Sequence, residues 1–384
     1  MLDRLPPELL SDILELAAPL DYSLVGFNDR SRTLRSCCLV NRQLCALAQP
    51  LLSKVVRVDD IEGVRALAER AEDTGFFQDT PTVIFSQIHG LPLDEVIDLE
   101  KFPSLERLSL GGGALSCTLA LQSLASLSNL RHLTLIQLFT VDASSMPCIF
   151  PHLVELSIHE VVENKDEHWG IADLLRSGSD KFPALRSLAL GARSLDDPSR
   201  PYIVPSTLLD QLDALQVNVL DPPDARVFAH PVPTLYLLDF VALDARIPVP
   251  PSAAHVLIGD IHNHQYFDYP CVPKTLRRRF NYVLEEVLMC TGVETLFLPF
   301  TLHPSAPITD QFEAVTLERR TLLLKTCAAK GIDVRWRHEA FSADNALTFC
   351  LDFLPLAREL KAKQRATVDE VEEHATATTS GAGR

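Results

Sequence analysis

Nothing constrains this chain more than a short phrase that it repeats. FPSLERLSL (Phe102–Leu110), LSNLRHLTL (Leu127–Leu135), FPHLVELSI (Phe150–Ile158) and FPALRSLAL (Phe182–Leu190) all reduce to L-x-x-L-x-L. Leu105, Leu130, Leu153, Leu185 and Leu212, which open successive phrases, follow one another at intervals of 25, 23, 32 and 27 residues. Weaker echoes run from Leu212 to Val217, Leu235 to Phe240 and Val293 to Leu298. Self-similarity at such a period means one small unit stacked on copies of itself. In x-L-x-L, alternation along a strand turns both leucines to one side. Leu108/Leu110, Leu133/Leu135, Leu156/Ile158 and Leu188/Leu190 should therefore form a continuous internal ladder.

The segments between the phrases have helical spacing. Leu121, Leu124 and Ala125 form one such stripe; Ile61, Val64, Leu67 and Ala71 form another, with Asp60 placed as its N-cap. A single strand and helix cannot bury their apolar sides alone, so neighbours must stack. The expected body is α/β, an irregular leucine-rich-repeat solenoid over residues 59–340, with a curved parallel sheet inside and helices outside. The alternative is a compact α/β domain in which the leucines coincide by chance. Prolines crowd the stretch from Pro198 to Pro273, where extended connections should replace helices and regularity should fail. A helix is expected across Leu276–Cys290. TLERRTLLLKTCAAKGIDVRW then reads as helix, Gly331 at C′, and a strand Ile332–Trp336 that caps the solenoid. Residues 341–360 are expected to form a capping segment, and 361–384 a disordered tail.

Alternation assigns Arg107, Ser109, His132, Thr134, Glu155, Ser157, His159, Ser187, Gln216 and Asn218 to the concave sheet face. These are the candidate positions for a target, and a broad surface of this kind suits a protein or peptide better than a small molecule. The alternative role for each is a solvated sheet face.

At the front of the chain, LPPELLSDILELAAP (Leu5–Pro19) sets two prolines at a helix start, where missing N–H groups cost little. Leu9, Leu10, Ile13, Leu14 and Ala17 follow as an apolar stripe. Leu20–Arg32 reads as an insertion. Thr33–Val58 then reads as two short helices divided near Asn41, a good N-cap residue. Three helices in residues 1–58 give a marginal core, so such a head wants a partner or the solenoid beside it.

Leu5-Pro6-Pro7-Glu8-Leu9-Leu10 with Ile13-Leu14, and Cys38-Leu39-Val40-Asn41-Arg42-Gln43-Leu44 with Leu47-Ala48 and Pro50-Leu51-Leu52, resemble an F-box. The whole chain looks like fungal F-box proteins with a degenerate leucine-rich-repeat body. That resemblance implies an adaptor of an SCF-type, cullin-based ubiquitin ligase: the head docks on the Skp adaptor and the repeats hold a target protein. By position, Leu5, Pro6, Leu9, Ile13, Leu39, Val40 and Leu44 would make the adaptor contact. Two features depart from the family: the Leu20–Arg32 insertion between the first two helices, and Leu44 where a Trp is often found. The competing expectation is a plain repeat scaffold whose head only caps the solenoid.

Composition narrows the remaining classes. The formal charge is −16, with 51 acidic against 35 basic residues, which argues against nucleic acid or an anionic membrane as partner. No apolar run approaches the roughly 18 residues that would span a bilayer, and the N-terminus lacks a signal-peptide pattern. Nine scattered cysteines, without a C-x-x-C pair or any Asn-x-Ser/Thr sequon, suit reduced thiols in the cytoplasm or nucleus. G-x-x-x-x-G-K-[ST], G-x-S-x-G, H-E-x-x-H and G-x-G-x-x-G are all absent. No cofactor, metal site or catalytic residue is therefore expected. Gly111-Gly112-Gly113 is read as a strand-to-helix turn, and Asp260-Ile261-His262-Asn263-His264 as a polar loop despite its alternating ligand types.

Overall fold

The computed structural model describes residues 5–18, 24–73, 77–88, 99–112, 124–136, 149–159, 175–190, 204–218, 234–238, 253–258, 283–299, 303 and 313–337. The repeats from Phe102 to Leu212 begin with the same turn. The Leu105 amide donates to the Phe102 carbonyl at 3.0 Å, and the same bond recurs from Leu130 to Leu127 (3.1 Å), Leu185 to Phe182 (3.2 Å) and Leu212 to Leu209 (3.1 Å). The aromatic and the leucine of these turns are buried together, as with Phe102 and Leu105 or Phe182 and Leu185. Phe150 and Phe182 stack with ring centroids 5.6 Å apart.

The strands are β1 (Val55–Val58), β2 (Thr82–Ile88), β3 (Arg107–Gly112), β4 (His132–Ile136), β5 (Glu155–His159), β6 (Ser187–Leu190), β7 (Ala214–Asn218), β8 (Thr234–Leu238), β9 (His255–Ile258), β10 (Thr295–Pro299) and β11 (Asp333–Arg337). They form one 11-stranded sheet in strict chain order. Every pairing is parallel. Junctions between units are locked by shared carbonyls. Pro81 accepts both the Glu106 and Arg107 amides at 2.9 Å, and Glu106, Arg131, Val154, Arg186 and Ala254 each accept two amides of the following unit in the same way.

The expected ladder is present. Leu108 pairs in register with Leu133, Leu133 with Leu156, and Leu156 with Leu188. Each is at most 2% exposed. The column runs on through Leu215, Leu235, Val256, Leu296 and Val334. Burying a leucine side chain is worth about 1.5–3 kcal/mol, which one unit cannot collect without its neighbours.

Six helices accompany the strands among the described residues: α1 (Pro7–Ala17), α2 (Leu24–Val40), α3 (Arg42–Ser53), α4 (Ile61–Asp73), α5 (Ser206–Leu209) and α6 (Glu313–Lys330). Asp60 caps α4 as expected, its carboxylate accepting the Gly63 amide at 2.6 Å. Val64 and Leu67 of the expected stripe are buried. At the end of α6, Gly331 (φ 71°) follows the last turn. The Ile332 amide reaches back to Cys327 O and that of Gly331 to Ala328 O, the 6→1 and 5→2 pattern of a Schellman stop.

Several expectations change. Val55–Val58 is a strand, because three β-branched valines favour the pleated sheet over continuation of the helix. The sheet therefore starts inside residues 1–58. Residues 24–32, read as insertion, are the first half of α2, so the link between the first two helices is short. The proline-rich stretch keeps its strands: β7, β8 and β9 continue the register, with the prolines falling between them. Gly111 and Gly112 belong to β3, Gly111 pairing with Ile136, and do not form a turn. Of the helix expected across Leu276–Cys290, the described part holds a π-helical turn at Val283–Val287. Leu121, the Asp260–His264 segment, residues 276–282 and residues 341–384 lie outside the described residues.

Candidate functional site

The head is built around a small core of Leu10, Leu14, Ala18, Leu34, Leu44, Ala48 and Leu51. Pro6 is the N-cap of α1 and Pro7 its first residue, positions that need no amide hydrogen. Asn41 alone separates α2 from α3 and caps the latter, its side chain accepting the Leu44 amide at 2.8 Å. Arg30, 6% exposed, donates to the carbonyls of Ala18 and Leu51. These lie at the C-terminal ends of α1 and α3, where helix dipoles favour a cation.

Five large apolar side chains stay outside this core. Leu9 is 50% exposed, Ile13 44%, Leu16 81%, Leu39 88% and Val40 67%. The α1 stripe read from the sequence is thus split: Leu10 and Leu14 face the head's interior, while Leu9 and Ile13 face solvent. Leu16, absent from the sequence-based set, completes the outer face at i, i+4, i+7 from Leu9; that spacing was readable in the sequence. Leu39 and Val40 end α2. Pro6 is exposed and Leu5 half-buried against the core. Leu44 is corrected: at 8% exposure it belongs to the interior, because the N3 position that Asn41 caps points into the head.

The other candidate surface is the second face of the sheet. Arg107, His132 and Glu155 form one row across β3, β4 and β5. Glu155 lies 2.7 Å from His132 Nδ1 and 3.8 Å from the Arg107 guanidinium. Ser109, Thr134 and Ser157 form the adjoining row. The expectation of an open concave platform fails for most of its positions: Ser109, Thr134, Glu155, Ser157, Ser187 and Gln216 are buried, while Arg107 and His132 are half-buried. The reason lies in the same face farther along, where Ile84, Ala189, Leu257 and Phe297 are buried as well. Parallel sheets are normally covered on both faces, and this sequence supplies apolar residues for both. His159 ends β5 and Asn218 ends β7.

His255 sits on this buried face, 5% exposed, in register with Thr234 and Thr295. Neither ring nitrogen has a hydrogen-bond partner among the described residues. Burial pushes its pKa below the ordinary imidazole value, with Arg335 acting in the same direction and Glu294 against it.

No three His, Cys, Asp or Glu side chains among the described residues converge to hold a metal ion. No helix among them is long and apolar enough to cross a membrane. Thus the arrangement offers a greasy, proline-led head surface and a buried polar row in the sheet. No family model matches the chain, and no curated protein is significantly similar to it.

Proposed function

We propose that this chain is a non-enzymatic substrate receptor of an SCF-type ubiquitin ligase, with an F-box-like head that docks on the Skp adaptor. The observation that carries the reading is the apolar set Leu9, Ile13, Leu16, Leu39 and Val40, left exposed by a head whose own core is already filled by other residues. Single exposed leucines are ordinary, but several in one small module mark a surface that another protein covers. The repeat body, a leucine-rich-repeat-like arc in this reading, holds the target and presents it for transfer on another subunit. It contributes effective concentration and no reactive group. Because Ser109, Thr134, Glu155, Ser157, Ser187 and Gln216 are buried on the second face, the target contacts the rim and outer surface of the arc in preference to these positions.

The test is co-purification of the full chain with a Skp adaptor and cullin. Leu9→Glu/Ile13→Glu should lower adaptor affinity by at least roughly 100-fold while leaving the fold intact, since both residues lie outside the head core. Equal capture by wild type and variant would sink the assignment.

One observation favours a second reading, a repeat scaffold capped by its head. α3 runs through Lys54 straight into β1, and Lys54 bonds Glu15 of α1 at 2.6 Å. On that reading no adaptor binds, and deleting residues 1–53 destabilises the sheet.

A further inference from the structure

We propose that two copies of this chain pair through the outer face of α6, antiparallel about a two-fold axis. The inner face of that helix is already occupied. Leu323 and Cys327 join the core of the repeat body, and buried Arg320 donates to the His303 carbonyl at 2.6 Å. On the opposite side Leu317, Thr321 and Lys325 follow one another at i, i+4 and i+8, with Glu318 and Leu322 in the adjoining row. All five are exposed, Leu317 by 40% and Leu322 by 45%. They line an open groove of about 380 Å³.

The pattern of this face is complementary to itself. Thr321/Leu322 and Glu318/Lys325 share one midpoint along the helix. A second α6 laid antiparallel over that midpoint sets Glu318 against Lys325 of the other copy, twice, and packs Leu322 beside Thr321, also twice. Packed helices lie about 8–10 Å apart, a gap that Glu and Lys side chains span. Within one chain, neither Glu318 nor Lys325 has an ion-pair or hydrogen-bond partner among the described residues. The threonines are already served: Thr321 Oγ1 donates to Leu317 O at 2.7 Å and Thr326 Oγ1 to Leu322 O at 2.8 Å. Covering the face therefore strands no hydroxyl. An acidic or a basic partner would satisfy one of the two charges and leave the other facing its like. The same face turned round satisfies both, as a closed two-fold contact requires.

α6 packs beside β11, at the end of the sheet opposite β1 and the head. Pairing there leaves Leu9, Ile13 and Leu39 uncovered, so the dimer neither needs the docking reading nor opposes it. One helix pair is smaller than a standard interface, and each copy carries a charge of −16. The dissociation constant should accordingly be on the order of 10–100 µM.

Sedimentation equilibrium of the full chain between about 2 and 200 µM reads the association. Wild type should pass from monomer towards dimer across that range. Glu318→Lys and Lys325→Glu should each weaken pairing by at least roughly tenfold, because each sets like charges against one another twice. Mixing the two variants should restore it as a heterodimer, since every charge then meets its opposite. Glu318→Lys/Lys325→Glu in one chain should pair like wild type. A chain monomeric throughout, single variants that associate like wild type, or a mixture that stays monomeric would each overturn the pairing. So would association that survives Lys325→Glu and disappears in Leu9→Glu/Ile13→Glu, a result that puts the contact in the head.

Discussion

The Arg30 guanidinium donates to the Leu51 carbonyl at 3.2 Å from a buried position, and a second bond goes to Ala18 O. One side chain of α2 thereby serves carbonyls at the C-terminal ends of both α1 and α3. Hydrogen bonds from a charged donor are worth about 1.5–3 kcal/mol each in such settings. Arg30→Met should keep the aliphatic packing, leave both carbonyls unserved and destabilise the head by about 2–3 kcal/mol. Amide exchange of α1 and α3 should accelerate while that of β4 and β5 stays unchanged. Uniform acceleration across the chain would show that head and sheet unfold as one unit.

Leu156 occupies the middle of the internal column, 2% exposed and in register between Leu133 and Leu188. Leu156→Ala should cost about 3–4 kcal/mol in urea denaturation, from lost transfer energy and the cavity left behind. Val56→Ala, at the half-buried start of the same column, should cost about 1 kcal/mol.

The ladder was legible because L-x-x-L-x-L repeats both a turn and a strand with one spacing. β2 was not, although it belongs to the same series. Phe77 and Thr80 stand 25 residues before Phe102 and Leu105. The Thr80 amide closes the same turn on Phe77 O at 3.2 Å. With Thr in place of Leu, the phrase disappears from the sequence while the geometry persists. The buried second face was illegible for a different reason: Ile84 and Leu257 occur in units that lack the phrase and Phe297 in one of its weaker echoes, so the hydroxyls of β3 to β5 set the expectation. In the head, the exposed side chains followed from helical spacing, but the inward or outward choice within α1 needed the positions of α2 and α3.

Thr80 also gives a prediction of opposite sign. It is fully buried, and its hydroxyl has no hydrogen-bond partner among the described residues. Thr80→Val keeps the shape and the turn amide while removing the stranded hydroxyl. Stability should rise by about 1 kcal/mol, read as a higher urea midpoint at unchanged slope.

For His255 the pH dependence has a fixed direction. Its folded pKa lies below the ordinary value of 6.5, so the folded state prefers the neutral ring. Its contribution to stability is therefore present above about pH 6.5 and is lost as pH falls through 6.5 toward the folded pKa. His255→Leu should flatten that part of the stability–pH curve. A variant as acid-sensitive as wild type between about pH 7 and 5 would show that other groups carry the dependence.

Gly331 and Gly178 separate two costs that are usually confounded. Both have positive φ, 71° and 75°. A Cβ built on Gly331 meets nothing within 4 Å, whereas one on Gly178 comes within 2.9 Å of Thr207 Oγ1. Gly331→Ala should therefore cost only the left-handed backbone, about 1–2 kcal/mol, and Gly331→Asn less, because Asn tolerates that region. Gly178→Ala should cost more than Gly331→Ala, since the backbone term and the clash add. Gly178→Ala in a Thr207→Gly background should fall back toward the Gly331→Ala value, short of it by the remaining 3.3 Å contact with Pro205 Cγ. Equal losses for the two single alanines would mean that the Thr207 side chain swings aside at no cost, leaving backbone conformation as the whole of the penalty.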